Sequence, residues 1–467
     1  MIRLLQPCVN HLTHLKTFIS GRDFMARQSL YWFTQDLRIH DNQALKIAQQ
    51  SMTLLCVYIV DPRWFKPQRW QQSSMGSHRW WFIQECLSDL ARSLEAFGQR
   101  LNVYYGLPEE IIPKLCHTYS INHLLCTHRV GSNEQATLKS IEDNLPSLKV
   151  NNVGQYTLFD YDTLPFSLDE WPASYTPFRK IAQTASVKKI IDAPSSLPPM
   201  PKLFALPSIH RPSWIPPSKP SQCVFEGGEK KALKHLAEYF SSDLPLHYKK
   251  VRNALDGWHN SSKFSPWLNQ GCFSARQLKT VIEEYEQEHD SNDSTHWLYV
   301  ELLWREYFQW LHQKIGTKLF AFKGLAKHRP LTSYYAERFQ KWCHGQTPYP
   351  LVNACMNELR ETGYLSNRGR QIVASCLVNE LSVDWRYGAA WFEHQLVDYD
   401  VAVNWGNWQY IAGVGADPRG GRHFNLKKQT SLYDPDSVYQ QKWGGQNTTP
   451  LDSVDAADWP IISDEIS

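Results

Sequence analysis

The sequence lacks the paired cysteines and histidines that hold a structural zinc ion. Its ten cysteines are scattered over 467 residues, without a Cys-x-x-Cys pair and without the Cys/His spacing that zinc requires. This pattern predicts free thiols, a reducing compartment and no metal site.

Long apolar runs are missing as well. Apolar residues make up 42% of the chain, yet no run approaches the roughly 18 to 20 residues needed to cross a bilayer. We therefore expect a soluble protein without a membrane partner. The net charge is only +3, which neither requires nor excludes nucleic acid, because binding depends on where cations cluster.

Tryptophan, in contrast, is abundant. The chain contains 19 tryptophans, an excess that favours stacking on a conjugated ring or on bases, or electron transfer between indoles. For any single tryptophan, filling of a large core remains the alternative explanation.

The pattern along the chain predicts an α/β plus α protein. Five short apolar runs alternate with helical patterns and predict a Rossmann-like parallel sheet over residues 29–160. The runs are 30–33, 54–60, 101–105, 123–127 and 148–153. A long connecting loop is expected over 161–224, because residues 193–220 are rich in Pro and Ser.

Helical spacing then predicts an all-helical domain over residues 225–445. Residues 446–467 are polar, acidic and aperiodic, which predicts a disordered tail. Residues 1–28 precede the first strand and contain a second methionine, Met25. We interpret them as a translation-start artefact or a flexible arm.

Four stretches together resemble the photolyase/cryptochrome superfamily. They are residues 32–42, Tyr248 with 261–268, 297–305, and a long discontinuous run over 365–371, 384–386 and 398–410. The DASH-type cryptochromes, which are single-strand-DNA photolyases, are the most similar branch. The features that favour this branch are the run at 164–168, Gln371, residues 404–408 and Tyr410.

The resemblance implies a helical FAD-binding domain. Clustered hydroxyls, backbone N–H groups and a lysine before a helix start also suit a pyrophosphate, although the same residues are typical helix caps. Asp398 paired with Arg370 would hold the flavin ring, and Asn404 would face flavin N5. The implied cofactor-binding residues are Tyr248, Ser261, Ser262, Lys263, Phe264, Ser265, Leu268, Arg305, Asn367, Arg370, Asp398, Asp400, Val401 and Asn404.

The resemblance also implies a catalytic pocket that receives a pyrimidine dimer flipped out of DNA. Glu301 and Asn367 would contact the lesion, with Glu301 protonated because burial beside indoles raises its pKa. The cavity lining would come from Trp304, Gln371 and Tyr410. Taken alone, Glu301 and Arg305 would be an ordinary solvated pair on a helix.

An electron relay to the flavin is the next implied feature. Trp408 and Trp385 resemble its inner and middle indoles, with core packing as the alternative. The outer indole is missing, because Thr332 stands at its position; Tyr334 or Tyr335 is a possible substitute. We therefore expect slower photoreduction than in relatives with three indoles.

A folate antenna is doubtful. The DASH branch usually has Glu after a Gln-Lys or His-Arg pair, whereas Val130 follows His128-Arg129 here and Glu134 aligns elsewhere. We predict weak or absent binding of methenyltetrahydrofolate.

Three functions remain open at this point. The first is an enzyme, a blue-light-driven lyase that repairs cyclobutane pyrimidine dimers, preferentially in single-stranded DNA. The second is a blue-light photoreceptor that signals through flavin redox change, and the third is a flavin or nucleotide-binding protein indifferent to light. A monomer in the bacterial cytoplasm is expected, while an organelle or nucleus is the alternative.

Overall fold

The computed structural model describes residues 27–67, 69–172, 174–202, 212–213, 219–416 and 420–452. The expected arm at 1–28 therefore lies outside the described residues except for its last two, and so does the expected tail from residue 453 onward.

The N-terminal domain is a five-stranded parallel sheet. Its strands lie in the order β3-β2-β1-β4-β5: β1 Gln28–Phe33, β2 Thr53–Val60, β3 Leu101–Tyr105, β4 His123–Thr127 and β5 Lys149–Val153. The crossover helices are α1 Gln43–Ala48, α2 Ser77–Glu95, α3 Pro108–Tyr119 and α4 Ser132–Asn144. β2 is buried along nearly its whole length, as expected of a strand covered on both faces.

The second domain is helical. Within the described residues after 225 there is no strand, only an isolated bridge between Ser333 and Val383. The helices are α6 Glu229–Phe240, α7 Leu244–Val251, α8 Ser265–Gln270, α9 Ala275–His289, α10 Asp293–Ile315, α11 Ala336–Cys343, α12 Pro350–Thr362, α13 Asn367–Ser375, α14 Trp385–Gln395, α15 Val401–Ile411, α16 Leu426–Tyr433 and α17 Val438–Lys442, with α5 Tyr175–Ala182 preceding them in the connector.

Buried polar contacts join the two domains. Arg38, in the loop after β1, donates hydrogen bonds to the backbone oxygens of Gly271 (3.1 Å) and Gln155 (3.2 Å). The carboxylate of Glu229 accepts from the backbone N–H groups of Ile39 (2.8 Å) and His40 (2.9 Å). Because buried polar groups are costly unless paired, these contacts fix how the sheet meets the helices.

Two segments depart from expectation. The connector is not an uninterrupted loop, because α5 packs its Phe178 into the core. The tail does not begin at residue 446, since Arg338 holds Asp452 (2.6 Å) and Lys341 donates to the backbone oxygen of Pro450 (2.8 Å). These charged contacts with α11 are tertiary, so the composition of the segment alone does not reveal them.

No helix in the described part of the chain has the length and apolar character of a membrane span.

A buried carboxyl on α12 gives a pH-dependent stability. Glu358 accepts a hydrogen bond from the Tyr439 hydroxyl, and burial raises its pKa to about 7. The folded protein thus holds a proton that the unfolded chain releases near pH 4.5, so the free energy of unfolding should fall as the pH rises between these values.

We predict that Glu358→Gln weakens this pH dependence, because glutamine does not ionise. Denaturant unfolding at about pH 4.5 and pH 8 measures the effect, with exposed Glu361→Gln on the same helix as the control. Identical pH slopes for the parent and Glu358→Gln would contradict the assignment.

Candidate flavin and DNA site

A cavity of about 430 Å³ opens in the helical domain. This volume is in the range of small-molecule and cofactor sites. The predicted site residues that line it are Tyr248, Ser261, Ser262, Lys263, Phe264, Ser265, Leu268, Glu301, Trp304, Arg305, Asn367, Arg370, Gln371, Asp398, Asp400, Asn404, Trp408 and Tyr410. Val401 and Trp385 are outside the lining: Val401 packs into the hydrophobic cluster of the helical domain instead, and Trp385 lies within that cluster.

Asp398 connects three segments of the cavity wall. Arg370 on α13 donates to both carboxylate oxygens (3.0 and 2.8 Å), and the Ser265 hydroxyl at the start of α8 donates at 2.6 Å. The Asn269 side chain donates to the backbone oxygen of Asp398. The pairing of Asp398 with Arg370 thus matches the expectation, and it also includes the loop before α8.

The loop before α8 uses its polar groups differently from the expectation. The hydroxyl of Ser265 is engaged by Asp398. Lys263 adopts a left-handed backbone (φ 56°), and its ammonium contacts the Tyr364 hydroxyl (3.3 Å) and ring (4.3 Å). Ser261 and Ser262 therefore remain as the loop's hydroxyls for a ligand in the cavity.

Arg305 offers donors that no described residue satisfies. Its guanidinium lies over the Tyr156 ring (4.1 Å), and Nη1 donates to the Tyr156 backbone oxygen (3.1 Å). Nε and Nη2 are buried without a hydrogen-bond partner among the described residues. Because buried donors are normally paired, they indicate a polar or anionic ligand or ordered water at this wall.

Asp400 is held by protein groups rather than left free for a ligand. Its carboxylate caps α15 at the Val403 N–H (2.9 Å) and accepts from the Gln309 amide (2.7 and 2.8 Å) and the Tyr156 hydroxyl. Burial opposes its ionisation, but Arg305 and other cations outweigh burial and lower the pKa of the carboxyl. Only the outer surface of this residue reaches the cavity.

Asn404 presents an oriented amide to the cavity. Its Nδ2 donates to the Ala389 backbone oxygen on α14 (3.0 Å). Its Oδ1 accepts no hydrogen bond from the part of the chain that the structure describes, so it is available to a donor on a bound ring.

Glu301 lines the cavity next to a charged and an aromatic side chain. Its carboxylate accepts from the Trp297 indole (2.9 Å) and pairs with Arg252 (2.5 Å). Burial raises the pKa of Glu301, while Arg252 and Trp297 act in the opposite direction. The direction agrees with the expectation, but Arg252 was not anticipated.

The aromatic wall contains a partner from the connector. Tyr175 on α5 stacks on Trp304 at 3.4 Å between ring centroids, and its hydroxyl donates to the Val300 backbone oxygen (2.9 Å). Tyr410 meets the Trp304 ring edge-on at 6.1 Å and receives a hydrogen bond from Arg422 (2.5 Å). These contacts restrict the positions of both rings.

Trp408 reaches the cavity, and Trp385 lies behind it. The Trp408 ring touches Gly388 so closely that a Cβ there would lie 2.3 Å from Cη2. Trp385 is one turn before Gly388 on α14 and donates to the Phe322 backbone oxygen (3.0 Å). The assignment of both indoles to an electron relay stays a prediction.

The structure places the three candidates for the outer relay position differently. Tyr334 stacks on Tyr387 at 4.2 Å, two residues from Trp385. Tyr335 is largely exposed beneath Arg338, and the hydroxyl of Thr332 is buried without a partner among the described residues. Tyr334 is therefore the best-placed of the three.

Several lining residues escaped the sequence analysis. They are Arg252, Trp297, Tyr364 and Asn407. Arg252 and Trp297 flank Glu301 from α7 and α10 and could have been suspected from the basic and aromatic clustering there. Tyr364 directly precedes the recognised stretch at 365–371, and Asn407 lies within the stretch at 398–410 but was given no role.

Comparison with known proteins identifies the two domains. The model of the "FAD binding domain of DNA photolyase" matches residues 297–449, and the "DNA photolyase" model matches residues 29–201. Cryptochrome DASH of Idiomarina loihiensis is 47% identical over 93% of this chain and 97% of its own length.

The chain belongs to the DASH branch of the photolyase/cryptochrome superfamily. The crystal structure of a Synechocystis cryptochrome superposes with a TM-score of 0.85, at 40% identity, and covers 90% of this chain and 88% of that one. A class III photolyase from Agrobacterium tumefaciens gives 0.77 at 28% identity, over 90% and 86% of the two chains.

The helical domain is accordingly an FAD-binding domain. The residues present fit the cofactor, because the unpaired donors of Arg305 and the oriented amide of Asn404 supply groups that a polar, conjugated ligand can satisfy.

We predict that Asp398→Ala loses FAD, because it releases Arg370, Ser265 and the loop before α8 together. The bound flavin per purified chain, measured by absorbance, tests this. Asp143→Ala, which breaks an exposed pair with Lys139, is the control and should retain full flavin. A fully yellow Asp398→Ala protein would contradict the role of the pair.

Proposed function

We propose that this protein repairs cyclobutane pyrimidine dimers by photoinduced electron transfer, with single-stranded DNA as the preferred substrate. The observation that supports it most directly is a single cavity in which Glu301, Trp304 and Tyr410 share the lining with Asn404. The residues proposed to bind the lesion and those proposed to bind the flavin thus face one cavity.

Bound FAD would supply the electron after it is reduced and absorbs blue light. The chain's own part is to bind and orient. Arg370 and Asp398 hold the wall against which the ring would rest, and the Asn404 amide, fixed by Ala389, presents Oδ1. Preorganised groups of this kind need no rearrangement when charge develops.

The lesion side combines stacking with hydrogen bonding. Trp304 is fixed by Tyr175, so its ring is a rigid platform for a base. Glu301 can donate to a carbonyl oxygen of the dimer when its carboxyl is protonated, which burial favours. Asn367, at the start of α13, exposes an amide that can donate and accept at the same lesion.

The preference for single strands follows from the cost of extrusion. Flipping a dimer out of a duplex costs a few kcal/mol, and base-on-aromatic stacking returns about 1–3 kcal/mol per base. Tyr410 and Gln371 stand where many photolyases have Trp and Met, so less apolar area offsets extrusion. Single strands avoid most of that cost.

We expect light-dependent repair of one defined dimer to be faster in single-stranded than in duplex DNA. Glu301→Gln should slow repair in both, because its amide lacks the acidic proton, while Tyr410→Trp should narrow the difference between them. Exposed Glu283→Gln on α9 is the matched control. All variants are assayed with chemically reduced FAD.

Equal parental rates in both contexts would refute the pocket argument. If protein with reduced FAD repairs neither substrate, the lyase proposal is wrong and the photoreceptor function is favoured instead.

The antenna forms a separate prediction. Val130 is buried in the core between the sheet and the helices, where a carboxylate would be needed for folate. We expect gently purified protein to contain far less than one methenyltetrahydrofolate per chain, measured by absorbance and by extraction. Stoichiometric folate would show that the missing glutamate is not decisive.

A further inference from the structure

Trp405 is a buried indole whose N–H faces a carboxylate. Its Nε1 lies 3.3 Å from Glu393 Oε2 on α14 and 3.3 Å from the Tyr399 hydroxyl. Among the tryptophans assigned to the relay, Trp385 instead donates to a backbone carbonyl. Of these two acceptors, the Glu393 carboxylate and a backbone carbonyl, only the carboxylate can readily take a proton from an indole.

The Trp405 ring continues the path of the relay. Trp408 contacts Gly388 on α14, and Trp385 begins that helix one turn earlier. Trp405 lies one turn before Trp408 on α15 and meets Trp385 at 5.8 Å between ring centroids. Trp408 thus lines the cavity beside α14, and Trp385 and Trp405 are in ring contact with each other between α14 and α15.

We propose that Trp405 and Glu393 form the outer, proton-coupled electron donor of the relay, in the place of the missing outer tryptophan. The proposal rests on the light-driven function proposed above. When FAD is bound in its oxidised form and absorbs light, it would be the oxidant and would draw the electron of Trp385 through Trp408. In flavin-free protein a soluble photo-oxidant would take its place.

The step balances as a transfer of one electron and one proton. One electron passes from Trp405 to the oxidised Trp385, which becomes a neutral closed-shell indole again. The N–H bond of Trp405 breaks, its proton bonds to Glu393 Oε2, and a neutral Trp405 radical with a protonated carboxyl remains. Separating the proton from the indole opposes return of the electron.

The charges near the two rings favour oxidation of Trp405 over oxidation of the next ring outward. The next ring outward is Trp70, at 6.4 Å, and it lies beneath the guanidinium groups of Arg69 (5.1 Å) and Arg386 (4.9 Å). Arg386 is paired with Asp384 (2.7 Å), so Arg69 is the cation that disfavours a positive charge on Trp70, whereas the carboxylate of Glu393 favours it on Trp405.

The stacked Tyr334 and Tyr387 are the competing donor. A phenol must lose its proton when it is oxidised near neutral pH, and neither hydroxyl donates to an acceptor within the described part of the chain. The carboxylate therefore favours Trp405 over the tyrosine pair.

The proposed step depends on the ionisation of Glu393. Burial raises the pKa of its carboxyl to about 7, opposed by Arg79 from α2 and by hydrogen bonds from Tyr399 and Trp405, while Glu134 from α4 raises it further. The ionised form, which accepts the proton, therefore prevails above about pH 7. Below that pH the acceptor is lost.

The test follows tryptophan radicals after a light pulse, by transient absorption and electron paramagnetic resonance. The parent should form a long-lived neutral tryptophan radical above pH 7 and lose it below. Trp405→Phe should lose it throughout. Glu393→Gln should lack it at every pH and should fold, since an amide can still accept from Trp405.

Trp391→Phe is the control, because Trp391 is on the same helix as Glu393 but its ring contacts in the described part of the chain are His344 (6.4 Å) and His394 (6.0 Å). It should behave as the parent. Infrared spectroscopy adds a readout independent of repair: a light-induced carboxylic-acid band that Glu393→Gln removes, and a dark titration of the same group in flavin-free protein.

An unchanged radical in Trp405→Phe, or a tyrosyl radical in the parent that Tyr334→Phe removes, would overturn the proposal. A failure of the proposed repair function can be distinguished from a failure of the proposed relay, because protein with chemically reduced FAD needs no relay to repair DNA. Repair by that protein together with an absent Trp405 radical would reject the relay alone. The radical without repair would reject only the lyase.

Discussion

The cavity depends above all on the buried pair between Arg370 and Asp398. The carboxylate joins α13 to the loop before α8, and the backbone of Asp398 receives Asn269 from α8 itself. A buried ion pair offers little net stability compared with apolar packing, because both ions lose hydration. Its effect here is positional: removal of either member would leave an unpaired charge against the cofactor site.

A second polar network lies directly behind the first. Asp400 is two residues from Asp398, yet it faces Gln309 and Tyr156 and caps α15. The two acids therefore have different roles. Asp398 orients the cavity wall, and Asp400 attaches α15 to α10 and to the sheet domain. Burial opposes ionisation of Asp400, but Arg305, Arg129 and the hydrogen bonds from Tyr156 and Val403 outweigh it and lower the pKa of the carboxyl.

Sequence reasoning predicted the elements better than the side-chain partners. Periodicity gave five strands and the helical domain, because apolar patterning is local. The resemblance assigned Ser265 and Lys263 to a phosphate loop, but it did not reveal that Ser265 also binds Asp398 and that Lys263 also contacts Tyr364. Tyr175 was missed since it belongs to a segment without strong periodicity and meets Trp304 only after folding.

Helix α15 shows why the differences between the sequence-based expectations and the structure cluster around one helix. Within it, Asn404, Trp408 and Tyr410 line the cavity, and Trp405 faces Glu393 between the domains. Successive residues of a helix point about 100° apart, so a single turn must serve the cofactor, the core and the interface. A residue at any of these positions is constrained by its own direction, and Gly406 meets Phe308 at a distance that leaves no room for a Cβ. We therefore expect substitutions in this turn that change the volume of a side chain to disturb the cavity lining and the core packing together.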